Sequence, residues 1–115
     1  MYYHIYVEFF AGNSKNPKKE SCYEKDMETL DRIKKYYVKP FEEGKQFFIS
    51  GRVIRPDTIN VFRILESDKS LDQLLNEKNN GIPNGVIMWY TSENLLAGHF
   101  EGINDITNEV MNGEK

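Results

Sequence analysis

Residues 2–10, Tyr-Tyr-His-Ile-Tyr-Val-Glu-Phe-Phe, constrain the chain more than any other segment. Aromatic and β-branched residues dominate it, and these fit a pleated, half-buried surface better than a helix. It reads as a strand. Side chains on a strand alternate between its faces, so Tyr3, Ile5, Val7 and Phe9 make one apolar face. Tyr2, His4, Tyr6, Glu8 and Phe10 make the other, which is amphipathic. That second face either lies under a helix or is an exposed contact surface.

The rest of the chain must supply partners for this strand. Residues 12–20 read as a polar, basic loop. Met27, Leu30, Ile33, Tyr37 and Phe41 recur at spacings of three and four and predict a helix, with Ser21 as N-cap and Glu24 completing a capping box. Pro40 is expected to end the regular helix and to start a short turn closing at Gly44. Residues 45–50 and 52–54 predict a short hairpin around Ser50-Gly51. Arg55-Pro56-Asp57 marks a turn, and residues 59–66 a further strand with Phe62 and Ile64 on one face and Val61, Arg63 and Leu65 on the other. Ser70 caps a second helix over 71–79, with Leu71, Leu74 and Leu75 as its apolar stripe. Residues 85–91 hold the apolar run Val-Ile-Met-Trp-Tyr, which predicts a strand buried on both faces at the centre of the sheet. Asp105 is expected to cap a last short helix over 106–111, closed by Gly113.

This order gives an α+β chain with one mostly antiparallel sheet and two main helices on one face. A ferredoxin-like β-α-β-β-α-β order is compatible with it. At 115 residues the chain is expected to be a single domain spanning 1–115. With 39% hydrophobic and 29% charged residues it reads as globular rather than disordered. No apolar run approaches the roughly 20 residues of a membrane helix, so no membrane partner is expected. The opening segment has no basic leader before it, and the single Cys22 fits a reducing compartment. A cytoplasmic location is therefore expected.

Charge is uneven. Residues 1–63 hold 12 Lys and Arg against 9 Asp and Glu, a net of +3, whereas residues 64–115 hold 3 Lys against 9 acids, a net of −6. Such asymmetry can steer a partner or favour self-association. The overall charge of −3 argues against a dedicated nucleic-acid binder.

No catalytic, metal or cofactor motif stands out. His4 and Glu8 share a strand face and could join His99 in a small metal-dependent nuclease, but a site needs three converging groups. Cys22 reads as a packed residue. Arg52, Arg55 and Arg63 lie in or beside the hairpin and could receive an anion, or could pair internally. Tyr2 and Tyr6, with Lys15, Lys18, Lys19, Arg52 and Arg55, could form a nucleotide or single-stranded nucleic-acid module.

The middle of the chain carries a sharper pattern. Pro40-Phe41-Glu42-Glu43-Gly44-Lys45 is followed by Gly51-Arg52-Val53-Ile54-Arg55-Pro56-Asp57-Thr58-Ile59. Together with Gly102-Ile103-Asn104-Asp105-Ile106-Thr107 near the end, it resembles the small α+β domain that precedes TIR-like, predicted nucleotide-binding domains in bacterial phage-defence proteins. The resemblance covers residues 30–66 and 102–113. It implies a non-catalytic accessory domain, a sensor or an assembly module, with no cofactor of its own. Its partner would be a protein or the downstream effector domain, or a second copy in a homo-oligomer. The surface expected to do this comprises Arg52, Arg55 and Arg63 around the hairpin and Tyr2, His4 and Tyr6 on the first strand.

Overall fold

In the computed structural model, which describes residues 1–13, 15–83, 85 and 89–115, the opening segment is a ten-residue strand, β1 (Tyr2–Ala11). It pairs on both edges. β2 (Lys18–Met27) lies on one side and β5 (Ile59–Ser67) on the other, both antiparallel. β6 (Asn104–Asp105) adds a short pair to β5, so the sheet order is β2-β1-β5-β6. The hairpin, β3 (Phe47–Ile49) and β4 (Arg52–Ile54), forms a separate two-stranded sheet. The chain is therefore α+β with a mostly antiparallel sheet.

Residues 18–27 depart most from the sequence expectation. The polar loop ends early, and Ser21 and Glu24 sit inside β2 rather than capping a helix. Register gives the reason. Cys22 lies opposite Val7, with Glu20 and Glu24 opposite Phe9 and Ile5, while Ser21 and Tyr23 lie opposite Glu8 and Tyr6. Only Cys22 and Met27 of this strand are buried, so an edge strand with polar residues on both faces conceals its alternation. The register shifts between Tyr3 and Ile5, where Lys25 and Asp26 together oppose His4, with Asp26 at φ 58°. This is a β-bulge.

Helix begins later than expected. α1 (Leu30–Ile33) runs into a π-helical turn (Lys34–Val38) and then α2 (Lys39–Glu42). Pro40 does not end this run. It lacks an N–H and crowds the preceding turn, and the widened π geometry falls immediately before it. The run closes at Gly44, whose φ is +70°. Further on, Ser70 caps α3 (Leu71–Asn80) by accepting from the Gln73 N–H at 3.2 Å. α4 (Ser92–Ala97) starts at a Thr91–Asn94 capping box. Before α5 (Thr107–Met111), Asp105 Oδ1 accepts the Thr107 N–H at 2.9 Å as a capping side chain does, although the helix itself begins one residue later than expected, with Ile106 at its N-cap position.

Both faces of the sheet are covered, which corrects the expectation of helices mainly on one face. Ile5, Val7, Phe9 and Ile64 pack against Ile33, Tyr37 and Val38 of the first helical run, the inner hairpin residues Phe47, Ile49 and Ile54, and Ile106 and Val110. On the other face Tyr6 and Leu65 pack against Leu71 and Leu74 of α3, Leu95 and Leu96 of α4, and Ile103. With residues 18–27 in a strand and the hairpin outside the main sheet, the element order is not ferredoxin-like. Its interior positions belong to β1 and β5. Of the run expected there, Trp89 and Tyr90 are outside any strand and exposed, and Val86, Ile87 and Met88 lie outside the described residues. Among the described residues no helix is long and apolar enough to cross a membrane.

The hairpin turn places Ser50 at φ 49° and Gly51 at φ 78°, the left-handed pair that matches the twist of a two-residue hairpin. A Cβ at Gly51 would meet no atom within 4 Å. Gly51→Ala should therefore cost about 1 kcal/mol through backbone strain alone, measurable by denaturant unfolding, with the near-ultraviolet spectrum unchanged.

Candidate functional site

The three hairpin arginines do not converge. Arg52 reaches back to β2, its Nη2 2.7 Å from Glu20 Oε2, with its guanidinium 5.0 Å from the centre of the Phe9 ring. Arg55 is exposed and lies 3.6 Å from Asp57. Arg63 is buried on the other face of β5. Its Nε donates to Asp105 Oδ2 at 3.0 Å and its Nη1 to the Leu96 carbonyl at 2.6 Å. It thereby ties β5 to β6 and to the end of α4. Burial would raise the Asp105 carboxyl, but Thr107 and Arg63 together hold it below the ordinary range.

The amphipathic face of β1 is interior at His4 and Tyr6, while Phe10 at its far end is exposed. Tyr6 is buried and donates its hydroxyl to Glu8 Oε2 at 2.8 Å, while Lys19 pairs with Glu8 Oε1 at 2.7 Å. Burial first, and then the Glu8 carboxylate, raise the Tyr6 phenol. Tyr2 is half-buried at the end of the strand. Of the residues suggested for stacking and phosphate contact, Tyr6 is thus covered, and Lys19 and Arg52 are engaged by carboxylates. Cys22 is buried too, and burial pushes its thiol up to about 11, so the thiolate is disfavoured.

His4 is fully buried at the bulge. Its Nδ1 accepts the Asp26 N–H at 3.0 Å. The proton therefore sits on Nε2, which donates to Ser67 Oγ at 2.8 Å, and Ser67 in turn donates to the Lys69 carbonyl at 2.7 Å. Asp26 Oδ1 accepts the Leu71 N–H at 2.7 Å. Every polar atom of the imidazole is thus committed to structure. Among the described residues no group of three His, Cys, Asp or Glu side chains is placed to hold a metal ion.

The hairpin presents a different surface. Its inner residues Phe47, Ile49 and Ile54 are buried, and Phe47 meets Tyr37 and Phe62 edge-on at 6.1 and 6.4 Å. Glu24 fastens the turn. Its Oε1 accepts the Ser50 N–H at 2.9 Å and its other oxygen accepts the Tyr37 hydroxyl, while Ser50 Oγ donates to the Tyr23 carbonyl at 2.7 Å. Burial and then Glu24 raise the Tyr37 phenol. On the outer face Phe48 and Val53 are directly opposite each other, and both are exposed. A hollow beside them is lined by Arg32, Lys35, Tyr36 and Phe48. Lys35 sits 5.4 Å from the centre of the exposed Tyr36 ring. Neither Arg32 nor Lys35 is at ion-pair distance from a carboxylate among the described residues. Sequence reasoning singled out the arginines of this hairpin but not its outer apolar pair. Alternation along Phe47-Phe48-Ile49 and Arg52-Val53-Ile54 groups Phe48 with Val53 but does not say which face turns outward.

No protein-family model matches the chain, and no curated protein and no solved structure matches it.

Burial lowers the His4 imidazole to about 4 from its ordinary 6.5, with Asp26 opposing the shift and Lys25 reinforcing it. Between these values the unfolded chain binds the proton and the folded chain does not. Stability from the neutral ring is complete above about pH 6.5 and is lost as pH falls through about 4, up to about 3 kcal/mol. Thermal unfolding followed from pH 7 to pH 4 should show this fall in Tm. His4→Asn should lower Tm at pH 7 and flatten the slope.

Proposed function

We propose that this chain is a non-catalytic accessory domain, a sensor or assembly module of a bacterial defence protein, that works by protein contact through the outer face of the β3–β4 hairpin. One observation carries the reading. Phe48 and Val53, 59% and 49% exposed, stand side by side next to Tyr36 at 54%, on a hairpin whose inner face and turn are fixed. Contiguous apolar surface of this kind marks interaction sites more often than scattered exposed residues do. The resemblance noted for residues 30–66 supports the same face, because its Gly44, Gly51-Arg52 and Arg55-Pro56-Asp57 shape the turns on either side of the hairpin.

The chemistry of the patch selects its partner. Aromatic and β-branched side chains beside Arg32 and Lys35 suit an apolar surface rimmed with carboxylates. A downstream TIR-like effector domain is the partner that the resemblance favours. A second copy of this chain is the other, with its acidic residues 64–115 facing the basic patch.

Sedimentation velocity of the purified chain, alone across a concentration series and mixed with a TIR-like domain, tests this. Association with either is expected, and Phe48→Asp should weaken it by roughly tenfold or more while leaving Tm within a few degrees. A wild-type chain that stays monomeric and ignores the TIR-like domain would overturn the reading.

A further inference from the structure

On the opposite face of the sheet from the hairpin, residues 89–90 are pinned against α3. Asn79 Nδ2 donates to the Tyr90 carbonyl at 3.1 Å, and the Tyr90 N–H donates to Asn79 Oδ1 at 2.8 Å. The Tyr90 ring meets Phe100 edge-on at 5.6 Å. Phe100 in turn lies against Gly98, where an added Cβ would come within 2.6 Å of its Cε2. These contacts fix the walls of a cleft of about 910 Å³ lined by Ile82, Pro83, Trp89, Tyr90, Ala97 and Phe100. Its volume falls in the range of small-molecule sites, roughly 300–1,000 Å³.

Two features of the cleft select a ligand class. The first is flat aromatic surface: Trp89 is 65% exposed, the most exposed large apolar side chain among the described residues. The second is an uncommitted cation. The Lys78 ammonium sits 5.0 Å from the centre of the Phe100 ring and is at ion-pair distance from no carboxylate among the described residues. The acid of the cleft, Glu77, is instead engaged by Lys69 at 2.8 Å. The available charge is therefore positive, although the surrounding half of the chain is strongly acidic.

We propose that this cleft binds a small planar aromatic anion, its ring against Trp89 and its carboxylate, sulfonate or phosphate on Lys78. Stacking on an indole supplies the affinity, and the ammonium, held at the wall by the Phe100 ring, supplies the selection for negative charge. The site is independent of the hairpin and of any contact made there.

Trp89 is the single tryptophan of the chain, so emission excited at the red edge of the indole band, where the tyrosines do not absorb, reports on this cleft. Two probes, AMP and 2-naphthoate, would be compared with their uncharged counterparts, adenosine and 2-naphthylmethanol. The adenine pair is read by Trp89 emission and the naphthyl pair by calorimetry. Saturable binding of either charged probe is expected, roughly tenfold tighter than its uncharged counterpart. Lys78→Glu should remove that preference, and Trp89→Ala, read by calorimetry, should remove binding, both with the circular dichroism and Tm of the wild type. The proposal is overturned if neither charged probe binds saturably by low millimolar concentration. It is equally overturned if charged and uncharged rings bind alike, or if Lys78→Glu leaves the preference intact.

Discussion

A neutral imidazole at a bulge holds four elements of this molecule in place. His4 on β1 accepts the Asp26 N–H of β2 and donates to Ser67 at the end of β5, and Asp26 passes the connection to the start of α3 through the Leu71 N–H. The bulge makes this possible, because two β2 residues face one on β1 and Asp26 takes a left-handed conformation. A buried polar group left without partners is costly, so the strand ends, the bulge and the helix start are specified together. The same commitment removes His4 from acid–base or metal chemistry.

The legible parts of the fold were those with a strong local signature. β1, the hairpin, β5 and the Ser70-capped α3 follow from alternation, turn residues and capping, and each is present. The apolar faces of β5 were also readable, with Phe62 and Ile64 toward one core and Leu65 toward the other. β2 was not readable, because its pairing is set by β1 and its polar residues satisfy one another across strands, as Lys19 does with Glu8 and Arg52 with Glu20. Pro40 misled because a helix can widen before a proline instead of ending. The candidate surface was half legible. The hairpin was evident from its turn, but which side chains point outward depends on what the inner face packs against.

The two layers on the sheet are closed differently. One is sealed by the helical run and the hairpin, and its exterior is apolar and basic around Phe48, Val53 and Arg32, with a shallow hollow beside Tyr36. The other is sealed by α3 and α4, and its exterior is concave and aromatic around Trp89. The proposed protein contact falls on the first exterior and the proposed small-ligand cleft on the second. Arg63 and Asp105 stand between them, since their ion pair joins β5, β6 and the end of α4.

β2 has a consequence for assembly. It is an outer strand of the main sheet, and its sequence, Lys-Lys-Glu-Ser-Cys-Tyr-Glu-Lys-Asp-Met, is crowded with charge. The Tyr23 carbonyl is already taken by the Ser50 hydroxyl, and the hairpin turn lies across the strand at that point. The opposite border is β6, only two residues long. Neither border offers a long, flat, apolar template, and charged or abbreviated borders discourage strand-to-strand growth. Strand-to-strand growth from either border is thereby disfavoured, and contacts between copies of this chain fall to side chains on the layer exteriors.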